Sequence, residues 1–98
     1  MVTRARLVRS SSEGRKKMIR WMDREDISQQ ELADMLSEDT GHGLSQAAIS
    51  QWSRGIARPD YIFRHYIAVR SGGLIQPRDW ETKEEHHYSQ PVPVVVKS

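Results

Sequence analysis

The stretch Ser28–Gly55, SQQELADMLSEDTGHGLSQAAISQWSRG, holds the pattern from which the fold is read. Ser28 is a favourable helix N-cap and Glu31 stands where a capping box places its acid, so a helix is expected to begin here. Leu32, Ala33, Met35 and Leu36 supply its apolar stripe at helical spacing. From Ser37 to Gly43 the pattern breaks on two glycines and small polar residues, as a turn does. A second helix is expected from its cap Ser45 to Arg54, with Gly55 as a left-handed stop. Ala48, Ile49 and Trp52 form its inward stripe, and Gln46, Ala47, Ser50, Gln51 and Arg54 lie on the other side.

Outward from this stretch, further helices follow from the same rules. Ser11 or Ser12 followed by Glu13 suits a helix start, and Met18, Trp21 and Met22 give that helix a core side. Lys16, Lys17, Arg20 and Arg24 are expected largely outside it, and DREDIS ends it. Pro59, favoured in a first turn, is read as opening a fourth helix with Ile62, Phe63, Tyr66, Ile67 and Val69 as its apolar face and Gly72-Gly73 as its end. A short turn from Leu74 to Trp80 then closes the core with Pro77 and Trp80. The expected fold is all-α, a small bundle of four to five helices over residues 11–80. It contains a helix-turn-helix with a lengthened turn. Residues 1–10 read as a flexible basic arm, and 81–98 as a polar, then valine-rich tail that is either disordered or a dimerisation strand.

Composition limits the function. The chain has 98 residues, 37% apolar and 29% charged, with no cysteine, so neither a disulfide framework nor a thiolate metal site is expected. Its apolar runs fall far short of the ~20 residues of a membrane span, and its basic start leads into no apolar signal segment. A cytoplasmic protein is the expectation. His86-His87, His42 and His65 lack the spacing and acidic partners of a metal site. No Ser–His–Asp arrangement or phosphate-binding glycine loop is visible. Catalysis, a cofactor and a small-molecule substrate are therefore not expected.

The net charge is only +2, but it is blocked along the chain. Residues 1–24 hold eight Arg or Lys against two acids, 25–43 hold six acids and no Arg or Lys, and 44–80 hold five arginines against two acids. Such separation suits a basic side turned to a polyanion, and equally a set of solvated helix faces.

The outer face of the Ser45–Arg54 helix favours the first reading. It is small and rich in amides, unlike the Glu/Lys mixture of a merely solvated helix. An α-helix fits the DNA major groove, where glutamine can bond adenine in bidentate fashion. Ala47 and Ser50 are small enough for close approach, and the preceding helix would cross the phosphate backbone with Gln29 at its N-terminus.

Ser28-Gln29-x-x-Leu32-Ala33 followed by Leu44–Gly55 and Arg58-Pro59 resembles the Cro/repressor-type helix-turn-helix family. Ser71–Ile75 and Pro77–Trp80 are similar to its YdaS/Cro-like branch of phage regulators and antitoxins. That family joins the two helices by a tight turn, from which Ser37–Gly43 departs. The helices still need their mutual angle, so a bulging loop or a longer first helix is expected there. The resemblance implies base-edge contacts from Gln46, Ala47 and Gln51, supported by Ser45 and Ser50. It implies phosphate contacts from Gln29, Arg54 and Arg58, with Leu32, Ala33, Ile49 and Trp52 in the core. Arg4, Arg6 and Arg9 either enter a neighbouring minor groove or form a solubilising tail. The implied function is a transcriptional repressor that binds double-stranded DNA as a homodimer, pairing through the fourth helix, Leu74–Trp80 or the valine tail. The other class kept open is an antitoxin or interaction protein whose main partner is a protein.

Overall fold

The computed structural model describes residues 12–81. Within them the chain forms α1 (Glu13–Glu25), α2 (Gln29–Thr40), α3 (Gln46–Ser53), α4 (Tyr61–Arg70) and a 3-10 turn, Pro77–Trp80. The architecture is the expected small all-helical bundle, with no strand among the described residues. No helix among them is long and apolar enough to cross a membrane. The arm arginines Arg4, Arg6 and Arg9, together with His86, His87 and the valine tail, lie outside the described residues.

The helix starts follow their caps. Ser28 Oγ accepts the Glu31 N–H at 3.0 Å while Glu31 Oε1 accepts the Ser28 N–H at 2.8 Å, a complete capping box. Ser45 Oγ accepts the Ala48 N–H at 3.2 Å and so opens α3. Every helix stops at a left-handed residue. α3 ends on Gly55, with the Gly55 N–H donating to the Trp52 carbonyl and the Ile56 N–H to the Gln51 carbonyl. The same paired closure ends α4 at Gly72 and Gly73, and ends α1 at Asp26, the only non-glycine residue of positive φ among the described residues.

One boundary decides between the two expected forms of the link, and a second corrects an expectation. The break at Ser37–Gly43 is mostly helix: α2 continues through Thr40, and only Gly41–Ser45 link it to α3. Serine and threonine hydroxyls make this possible. Ser37 Oγ accepts the Leu44 N–H at 2.8 Å, and Thr40 Oγ1 accepts the His42 N–H at 3.0 Å. Polar residues that read as a break therefore hold the link against the end of the helix, and no loop bulges from the domain. Secondly, α4 begins at Tyr61 after the N-cap Asp60, so Pro59 precedes the helix and is itself buried.

The core contains Met18, Trp21 and Met22 of α1, Leu32, Ala33 and Leu36 of α2, Ile49 and Trp52 of α3, and Phe63 and Ile67 of α4. Ile75 and Trp80 close it, both fully buried. Pro77 is only half-buried. The expected α4 face is wrong in part: Ile62 and Val69 are exposed, and Arg64 takes a buried position instead. Its Nε donates to the Pro59 carbonyl at 2.7 Å, and its guanidinium lies 4.3 Å from the Tyr61 ring centroid. The arginine satisfies the loop backbone while its charge rests over an aromatic face.

Long-range contacts fix α1 against the 3-10 turn. Trp80 lies over Gly14 so closely that a Cβ there would stand 2.5 Å from the indole Cδ2. Lys17 Nζ meets Asp79 Oδ2 at 3.0 Å beside this contact. Across the molecule, Arg70 at the end of α4 grips Asp39 near the end of α2 with two hydrogen bonds of 2.8 Å.

Candidate nucleic-acid interface

Burial on one side determines what α3 presents on the other. Ile49 is fully buried and Trp52 nearly so. Trp52 meets the Phe63 ring at 5.9 Å and the Trp80 ring edge-on at 6.5 Å, so α3 is held to both α4 and the 3-10 turn. With that side fixed, Ser45, Gln46, Ala47, Gln51 and Arg54 are exposed, and Ser50 is half-buried. These residues therefore occupy one surface, as the sequence predicts for them. From Leu44 to Pro59 the chain carries no acid, so the helix offers this surface no carboxylate.

α2 braces the same surface at its N-terminal end. Gln46 Nε2 donates to Gln29 Oε1 at 3.2 Å, and Gln29 Nε2 donates to Ser53 Oγ at 3.4 Å. Ser53 Oγ in turn donates to the Ser50 carbonyl at 2.9 Å. Gln29 and Gln46 are each the first residue of their helix. The positive ends of two helix dipoles are thereby brought together. The chain of bonds gives Gln29 a role that sequence reasoning did not assign: it orients the Gln46 amide and ties α2 to α3. The clue in the sequence is a glutamine directly after each serine cap.

Arg54 directly follows α3 and is exposed. Arg58 is half-buried, and its Nη1 donates to the Trp80 carbonyl at 3.4 Å, which ties the loop after α3 to the 3-10 turn. The structure thus places Arg58 partly inside the fold, where the resemblance implies a phosphate contact.

The acidic block lies off α3, at the end of α1 and on α2, where Glu31 shares the first turn with Gln29. A groove of about 390 Å³ at the junction of α1 and α2 is lined by Glu25, Asp26, Glu31 and Asp34 around Ile27 and Met35. Its four carboxylates repel a polyanion, so any such partner is directed to surfaces without them. Among the described residues no group of His, Asp and Glu is placed to hold a metal ion.

No family model, curated protein or solved structure matches the chain.

Proposed function

We propose that the protein is a sequence-specific DNA-binding transcriptional regulator whose α3 enters the major groove. One observation carries this reading above the others: an exposed helix face of amides and small residues, free of carboxylate, with the leading amide of Gln46 already oriented by Gln29. Gln46 and Gln51 supply the paired donor and acceptor that adenine recognition needs, and Ser45, Ala47 and Ser50 let the helix backbone come close to the bases. Arg54, with Arg58 and the N-terminus of α2 at Gln29, contacts the phosphates and sets the register. A single short helix reads few bases, so two copies bind a palindromic operator as a homodimer and repress transcription. Such a protein belongs with the Cro-like regulators of bacteria and their phages, and works in the cytoplasm.

Operators selected from random DNA provide the test. Gln46→Ala is expected to cost about 1–3 kcal/mol on the selected site and little on random DNA. A loss of equal size on both removes its role as a base reader. No DNA binding by the unaltered protein at low salt overturns the proposal as a whole.

A further inference from the structure

α4 is apolar on two opposite sides. At 3.6 residues per turn, Phe63, Arg64 and Ile67 share the buried side, and Tyr61, Ile62, His65 and Val69 fall within an arc of about 100° on the other. In that outward arc Tyr61 is 64%, Ile62 43% and Val69 59% exposed. The arc contains no Lys, Arg, Asp or Glu. Three such side chains present on the order of 350 Å², well under the ~800 Å² per partner of a standard protein interface. The face is too small to hold two copies together by itself, but large enough to seat a short extended segment.

The chain itself supplies that segment. The described residues end at Glu81, and its carboxylate accepts the Tyr61 phenol at 3.3 Å. The tail therefore departs from the first residue of the exposed face. Residues 82–90 reach at most roughly 30 Å when extended, against about 15 Å for all of α4. Beyond them lies Pro91–Val96, PVPVVV, whose two prolines favour an extended backbone and whose side chains are all apolar. Residues 1–11, by contrast, interleave their apolar side chains with arginines. We infer that Pro91–Val96 of the same chain covers the outward face of α4, and this holds whether or not α3 reads DNA.

The test uses the full-length protein with a nitroxide on Lys97→Cys, the chain having no other cysteine. In a sample where each labelled chain is diluted with unlabelled, isotope-free protein, the amide resonances of Ile62, His65 and Val69 should lose most of their intensity. Adding Val94→Asp, Val95→Asp and Val96→Asp should restore it. Intact resonances in the first sample overturn the inference. So does broadening that persists with the three aspartates. Broadening that appears only on isotope-labelled chains mixed with separate nitroxide-bearing ones also overturns it, because the tail would then belong to a second copy.

Discussion

α3 and α4 rest on one core, where Trp52 of the first meets Phe63 of the second, and they differ in what they turn away from it. α3 turns out hydroxyls, amides and a methyl group; α4 turns out a tyrosine, an isoleucine and a valine. Inward, both are governed by removal of apolar area from water, which is indifferent to which helix provides it. Outward, folding makes no such demand, so the outer residues carry the information about partners. Hydrogen-bonding groups on a water-facing helix suit a partner that is itself polar and patterned. Apolar groups there suit one that excludes water.

The inner side gives the largest expected effect. Ile49→Ala and Ile67→Ala each empty a fully buried site, one on each helix, and each should cost about 2–5 kcal/mol in urea unfolding. Equal losses support a single shared core. A much smaller loss at one site breaks the equivalence and marks a helix that the core can collapse around.

Next comes the clamp that holds α4 to α2. Arg70→Ala should cost about 0.5–1 kcal/mol at neutral pH, since the pair is bidentate but Arg70 is more than a third exposed. The hydrogen bond from Arg70 holds the Asp39 carboxyl below its ordinary value, against a smaller opposing effect of burial. Asp39 thus binds a proton less readily folded than unfolded. Its contribution is complete above the ordinary aspartate pKa of about 4 and fades as pH falls through the lowered folded value. Stability curves of the native chain and Arg70→Ala should therefore converge on acidification. A constant gap shows that the arginine acts through packing alone.

Helix ends provide a finer comparison. α3 and α4 close on glycines, but α1 closes on Asp26 at φ 58 with the same two hydrogen bonds. An L-residue with a side chain is strained there, and Asp26 also adds charge to a groove already holding Glu25, Glu31 and Asp34. Asp26→Gly should stabilise the fold by about 0.5 kcal/mol, after the added flexibility of the unfolded chain is set against the relieved strain. Thermal unfolding measures it, and a loss of stability would mean that the aspartate makes a contact worth more than its strain.

These differences mark what the sequence could express. Caps and stripes were legible because they are local: Ser28 with Glu31, Ser45 before Ile49 and Trp52, and glycine at the stops. The sequence leaves open whether α2 runs on or a loop bulges after it, because Ser37 and Thr40 act on residues across the link, and a hydroxyl that stabilises a turn looks like one that breaks a helix. α4 was misphased because apolar residues stand on both its sides, so periodicity cannot choose which is buried. Gly14 gave no signal, since its reason is Trp80 at the far end of the domain. For α3, the spacing of the apolar residues indicates which residues face outward, but the brace from Gln29 depends on the angle between two helices and is absent from any local pattern.

The smallest expected effect on stability bears most directly on the outer face of α3. Gln51→Ala should change the unfolding free energy by less than about 0.5 kcal/mol. Its side chain is exposed, and alanine is the better helix former. What Gln51 gives to the fold is its backbone carbonyl, which accepts the Ile56 N–H at 2.9 Å and survives the substitution. If stability is unchanged while affinity for a selected operator falls, the amide is present for a partner and not for the helix. If both are unchanged, the reading face contracts to the Gln46 end, where Gln29 holds the amide in place. A marked loss of stability would mean that this side of α3 is structural after all, and the contrast with α4 would lose its basis.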